Sequence, residues 1–176
     1  MKKIITVQLI MLFGVQFVFA QVSEEQRQKD VETIDNIIEA LYASISGEKG
    51  EPRDWDRFRN LLIPDARLIP TSEKEGGKNE YQVMTIDQFI ENTDSYFVEN
   101  GFYEYEIHRE EQHYGRIVHL MSTYGSKRSE TDDEPFNKGI NSIQLFDDGQ
   151  RWWVVTIYWA HASKKNPIPR KYAGSD

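Results

Sequence analysis

Between Glu104 and His119 the chain gathers carboxylates, three imidazoles and two arginines within two expected strands. Arg109 and Glu111, two residues apart, share one face of an extended segment. There a guanidinium offers a fixed donor fork for an anion or carbonyl, and Glu111 is a candidate base. The competing reading is a solvated ion pair, which does no chemistry. His108, Glu110 and His119 are of types that bind zinc. They lack the H-E-x-x-H spacing and any tight trio, however, and cross-strand pairing or a subunit contact accounts for them as well. No metal is expected. The chain has no Cys, no G-x-S-x-G and no Ser with an evident His partner, so nucleophilic catalysis has no support. Gly76-Gly77 stands in a polar stretch rather than at a strand-to-helix junction, which argues against a phosphate loop.

A second concentration is "RWWVVTIYWAH", Arg151 to His161, with three of the four tryptophans. Its β-branched and aromatic content predicts a strand. By period two, Trp153, Val155, Ile157, Trp159 and His161 share one face, and Trp152, Val154, Thr156, Tyr158 and Ala160 the other. Both faces are apolar, so each needs cover.

The elements that position these residues follow from the rest of the sequence. Lys2-Lys3, an apolar run to Phe19 and Ala20 before Gln21 form the pattern of a secretory signal peptide over 1–20. Cleavage there predicts a periplasmic or secreted product. Residues 21–162 read as one domain and 163–176 as a Pro-containing tail. With Lys2 and Lys3 removed, 21 − 2 = 19 basic residues face 29 acidic ones, a formal charge of −10. That sign excludes nucleic acid and anionic membrane as natural partners.

Ser23-Glu24-Glu25-Gln26 is a capping-box pattern. Val31, Ile34, Ile37, Ile38, Leu41 and Ile45 then recur at helical spacing, predicting one helix from about Glu24 to Ser46. A short amphipathic segment from Trp55 to Leu62 ends at Pro64, and Ala66 to Pro70 reads as a short strand. Thr71 to Glu80 reads as a loop, and Thr85-Ile86-Asp87-Gln88 opens a helix that Gly101 ends. Two hairpins follow, around Tyr114-Gly115 and around Asp147 to Gln150. In the first, strict alternation puts Tyr103, Tyr105, Ile107, Arg109 and Glu111 on the inner face with Tyr124, and Glu104 and Glu106 on the outer face. Helices followed by long antiparallel strands give an α+β fold: N-terminal helices packed on a strongly curved antiparallel sheet.

The order of "WDRFRNLLIPDARLIP", a capped helix, and strands ending in "DDGQRWWVVTIYWAH" resembles the nuclear transport factor 2-like superfamily, its SnoaL-like branch most of all. "HYGRIVHLMSTYGSK" and "GINSIQLFDDGQRWW" are similar to exported bacterial members. The resemblance implies a cystatin-like cone whose mouth opens on a pocket. It implies that Trp153 and Trp159 line that pocket with His161 near one end, that Asn141 and Ile143 continue the lining, and that Tyr105 and Tyr124 close it. Arg109 would reach it from the mouth. Isomerase-type members of the superfamily set a carboxylate base against an oxyanion donor. Here strict alternation offers Glu111 alone on the inner face, with Asp56 and Asp65 possible from the helical side. Superfamily members often dimerise through the outer sheet face, which would use Trp152, Tyr158, Met121 and Ile117 unless the tail folds over them.

The function expected is binding of a small apolar or aromatic ligand in the cone, with no cofactor. The alternatives are an isomerase, cyclase or dehydratase with Glu111 or His161 as base and Arg109 or Tyr124 as electrophilic donor, and a protein-interaction module with a filled cone.

Overall fold

The computed structural model describes residues 22–74 and 76–174, so the signal-peptide pattern over 1–20 lies outside the described residues. Helix α1 (Glu24–Lys29) and helix α2 (Ile34–Ile45) replace the single long helix expected. Thr33 breaks it: its side chain accepts from Asn36 N (3.1 Å) and restarts the helix as an N-cap. The break also lets Asp30, 2% exposed, meet Arg57 of α3 (Trp55–Leu61) at 2.7 Å. Burial pushes the Asp30 carboxyl up, but bonds from Arg57 and Gln26 outweigh it and hold it below the usual carboxylate range.

Strand β1 (Leu62–Glu73) runs on past Pro70 and pairs with β2 (Asn79–Tyr81), so most of the expected loop is a hairpin. Helix α4 (Ile86–Asn100) starts at a full capping box between Thr85 and Gln88. Strands β3 (Tyr103–Tyr114), β4 (Ile117–Lys127), β5 (Asn137–Asp147) and β6 (Trp152–His161) complete the sheet. The strand order is β2-β1-β6-β5-β4-β3, antiparallel throughout except that β1 runs parallel to β6. The core lies between this curved sheet and the helices. Ile37, Ile38 and Leu41 of α2, with Phe58 and Leu61 of α3, meet Leu120, Ile143, Leu145 and Val154 of the sheet.

Two register shifts decide which residues face that core. In β3, Glu106 pairs with Tyr124 and His108 with Thr123, leaving Ile107 as the extra residue of a β-bulge. On the turn side of the bulge Arg109, Glu111 and His113 stand opposite the inward residues Ser122, Leu120 and Val118, as strict alternation requires. Past it the parity flips. Glu104 and Glu106 turn inward opposite Ser126 and Tyr124, while Tyr105 turns outward. In β6, Val154 pairs with Leu145 and Thr156 with Gln144, so Val155 is extra. Trp152 and Val154 therefore join Ile157 and Trp159 on the core side, and Trp153 faces away. The inner-face assignments of Tyr103, Tyr105, Ile107 and Trp153, and the outer-face assignments of Glu104, Glu106 and Trp152, are overturned by these two bulges.

The tail covers part of the outer face. Thr123 Oγ1 donates to Tyr172 O (2.6 Å), and Pro167, Ile168 and Tyr172 close a depression over Met121, Ile140 and Tyr158. Tyr158, Ile117 and Phe146 of that face remain exposed.

Candidate ligand cavity

Between α2, α4 and the inner faces of β3 to β6 lies a cavity of about 340 Å³. Its walls are aromatic: Phe58, Phe89, Tyr96, Phe97, Phe102, Phe136 and Trp159. Phe97 and Phe102 stack at 4.1 Å between ring centroids, and Phe89 meets Trp159 edge-on at 6.2 Å. Gly101 brings the first pair together. It ends α4 at φ +72°, and a Cβ there would collide with the Arg128 carbonyl, so the chain turns straight from Phe97's helix into Phe102.

Polar groups gather at one end. Glu104 projects from β3 because of the Ile107 bulge. Asn141 Nδ2 donates to its Oε1 (3.3 Å), and Ser126 Oγ to its Oε2 (3.2 Å). The residue keeps some accessible surface where it fronts the cavity, yet protein rings the carboxyl. Burial is the dominant influence and pushes its pKa up to about 7 against the two hydrogen bonds, which act to lower it. Asn141 also donates to Tyr42 OH (3.1 Å), which lies 2.7 Å from Ser122 Oγ; Ser122 in turn donates to Glu106 Oε1 (2.5 Å). Burial first, then the negative charge of Glu104, raises the pKa of both Tyr42 and Tyr124.

At the rim, Tyr124 OH is 2.8 Å from His161 Nδ1, and Asn137 Nδ2 is 2.7 Å from the same nitrogen. Gly139 makes room for this contact, since a Cβ there would collide with the Tyr124 hydroxyl. His161 is open to solvent on one side and crowded on the other, and that partial burial draws its pKa below the ordinary imidazole value.

The residues singled out by sequence divide as follows. Tyr124, Asn141, Trp159 and His161 line the cavity together, while Ile143 is in the core beneath. Tyr105 and Arg109 line a different feature, a solvent-open groove of about 880 Å³ between α2 and the edge strand β3. Despite its size that groove is the weaker candidate, because ligand sites enclose most of a bound molecule's surface. Arg109 is occupied there by Asp35, by Glu106 (3.0 Å) and by Glu111 (2.6 Å). Glu111 also bonds His113 (2.7 Å). Burial raises its pKa, but His113 and Arg109 overcome that and hold it low, which is the wrong direction for a base. Trp153 lies beneath Arg151, 3.6 Å from its ring centroid, and donates to Asp148 Oδ2 (2.7 Å) at the far hairpin. Asp56 and Asp65 are exposed and outside the cavity lining. His108 meets Glu110 (3.2 Å), but His119 bonds Ser142 instead (2.8 Å), so the cross-strand cluster with His119 does not form.

Sequence reasoning missed Glu104, Tyr42 and Ser126. For Glu104 no local signal exists: its facing depends on the bulge at Ile107, and Gly125, where a Cβ would collide with the Tyr105 ring, takes its meaning only from the register.

No family model matches the chain, and no curated protein matches it. Solved structures share its fold. A cystatin-like protein of unknown function from Nostoc punctiforme PCC 73102 superposes with a TM-score of 0.54 at 9% identity, covering 82% of this chain and 97% of that one. A nuclear transport factor 2-like protein of unknown function from Silicibacter pomeroyi DSS-3 gives 0.50 at 13% identity, covering 73% and 92%. At such identities the likeness is one of fold alone. The chain thus has the cystatin-like fold of nuclear transport factor 2-like proteins, with helices packed on a curved six-stranded sheet.

Proposed function

We propose that this chain binds a small, largely aromatic or apolar molecule in the cavity beneath α2 and α4, and that it is of the SnoaL-like kind within its fold. The observation that carries this reading is an aromatic cavity of about 340 Å³ with its polar groups confined to one end, around Glu104. Pockets for small molecules have this makeup: apolar walls for affinity and a few fixed polar groups for orientation. A cone filled by side chains, as an interaction module would have, is hard to reconcile with that volume. The signal-peptide pattern over 1–20 supports export to the periplasm or beyond the cell. The exposed apolar residues Tyr158, Ile117 and Phe146 favour pairing of two copies through the outer face, with Trp152 excluded from that contact because it packs on the core.

Native mass spectrometry on protein purified from its own host tests the binding reading. A co-purifying mass that is lost on denaturation is the expected result. Nothing co-purifying, together with a silent thermal-shift screen of aromatic and alicyclic compounds, would overturn it.

Acid–base catalysis in the same cavity is the second reading, and one observation favours it: a carboxyl with a pKa of about 7 facing the bound space. A base tuned near neutrality is suited to moving a proton at carbon or oxygen. The base in that scheme is Glu104, in place of Glu111.

A further inference from the structure

The polar end of the cavity has acceptors to spare, and the side-chain donors beside Glu104 are already engaged. Ser122 Oγ gives its proton to Glu106 Oε1 (2.5 Å), so the Tyr42 hydroxyl must donate to Ser122 Oγ (2.7 Å). Asn141 Nδ2 has two protons and uses both, on Tyr42 OH (3.1 Å) and Glu104 Oε1 (3.3 Å). Ser126 Oγ donates to Glu104 Oε2 (3.2 Å), and Thr93 Oγ1 to Phe89 O (2.8 Å). At the rim Asn137 Nδ2 donates to His161 Nδ1, so that nitrogen accepts, its single lone pair is shared with the Tyr124 hydroxyl at 2.8 Å, and the ring proton is on Nε2. A carboxylate has about four acceptor positions, and protein donors fill two of those on Glu104.

Among the described residues no Lys or Arg lines the cavity. Two arginines are packed behind its walls, and each keeps one buried N–H, Arg53 Nε and Arg128 Nη1, without a protein partner. Arg53 donates to the carbonyls of Gly47 and Phe97 (2.8 Å each), and Arg128 lies over the Tyr96 and Phe136 rings. An anionic ligand would therefore meet a carboxylate and hydroxyl lone pairs at the polar end, where neither guanidinium is among the lining residues. A ligand that brings its own N–H donors and positive charge meets a carboxylate, and aromatic faces that attract cations.

We propose that the cavity takes an organic ammonium ion, a protonated primary or secondary amine on an aromatic or alicyclic body. Its N–H groups sit on Glu104, and its hydrocarbon lies against Phe97, Phe102 and Trp159. This assignment rests on the ligand-binding reading above and names its ligand class.

The ammonium ion binds the ionised carboxyl, so its affinity rises as pH climbs from 6 to 8 and Glu104 loses its proton. The other titratable groups at the site do not reverse this. Tyr42 of α2 and Tyr124 of β4 have pKa values pushed up by burial and stay neutral. His161 of β6 is pulled down by its own burial, and Tyr96 of α4 stands across the cavity. Glu106 of β3 lies on the far side of Tyr42 and Ser122 and is paired there with Arg109 (3.0 Å). A neutral carbonyl ligand would need a proton from Glu104 and would bind more weakly as pH rises.

Calorimetric titration of the purified protein with 2-phenylethylamine, 2-phenylethanol and 3-phenylpropionate at pH 6 and pH 8 tests the assignment. The amine is expected to bind at least tenfold tighter than either analogue at pH 8. E104Q, checked by its melting curve to be folded, is expected to abolish that preference. Equal or tighter binding of the alcohol or the carboxylate, or an amine preference that survives E104Q, overturns the ammonium assignment and leaves the binding reading standing. No binding by any of the three overturns the ammonium assignment, and the binding reading is then decided by the mass spectrometry and thermal-shift screen above.

Discussion

Glu104 is the residue on which the site turns, and its burial has a measurable cost. Its folded pKa of about 7 lies above the ordinary 4.5, so the folded state holds the proton more tightly than the unfolded chain does. The penalty is absent below pH 4.5, grows as pH rises towards 7, and is complete above it. Its size is on the order of 2–3 kcal/mol at most, given 1.36 kcal/mol per pKa unit and the partial access of water. E104Q should therefore melt higher than the wild type at pH 8 and close to it at pH 4.5. Equal melting temperatures for the two proteins at pH 8 would show that the carboxyl is solvated. A charge kept where it weakens the fold is typical of a site that uses it.

At the scale of elements, the two bulges decide the site. Ile107 is the extra residue, so deleting it removes the bulge and leaves Glu106 opposite Tyr124 and Glu104 opposite Ser126. Deleting Ile107 and His108 together shifts the parity by one and turns Glu104 outward. The single deletion should retain the pH-dependent melting that Glu104 imposes; the double deletion should lose it and lower the melting temperature further, because Tyr105 would be forced inward. If the single deletion also erased the pH dependence, Ile107 would not be the unpaired residue and the register of β3 on β4 would differ from the one above. Most of the remaining element boundaries were legible in local chemistry: the capping box at Thr85, the stop at Gly101, and the Asp-Gly turn at Asp148-Gly149. The break at Thr33 was not. The apolar stripe runs unbroken from Val31 to Ile45 and masks the cap that Thr33 makes on Asn36 N, while the pull of Arg57 on Asp30 comes from an element distant in sequence.

At the scale of the whole molecule, the sheet has one covered face and one partly bare face. The tail shields Met121 and Ile140, while Tyr158 is 47% and Ile117 57% exposed. Pairing of two copies over that patch predicts a dimer by light scattering at micromolar concentration, and a monomer for Y158E. A monomeric wild type would mean that the patch stays solvated.

The sequence by itself determined the α+β layering and the aromatic character of the pocket, because hydrophobic period, caps and turn residues are local and additive. It also placed Tyr124, Asn141, Trp159 and His161 on one face, since no bulge interrupts β4 and β5 between them or β6 after Val155. The tertiary structure alone decided which carboxylate enters the cavity. Period-two reading extends a phase from a single anchor, and one unpaired residue inverts every side chain beyond it. Whether a strand bulges depends on the twist and packing it meets in the sheet. The choice between Glu111 and Glu104 was therefore made at Ile107, by contacts that no window of sequence contains.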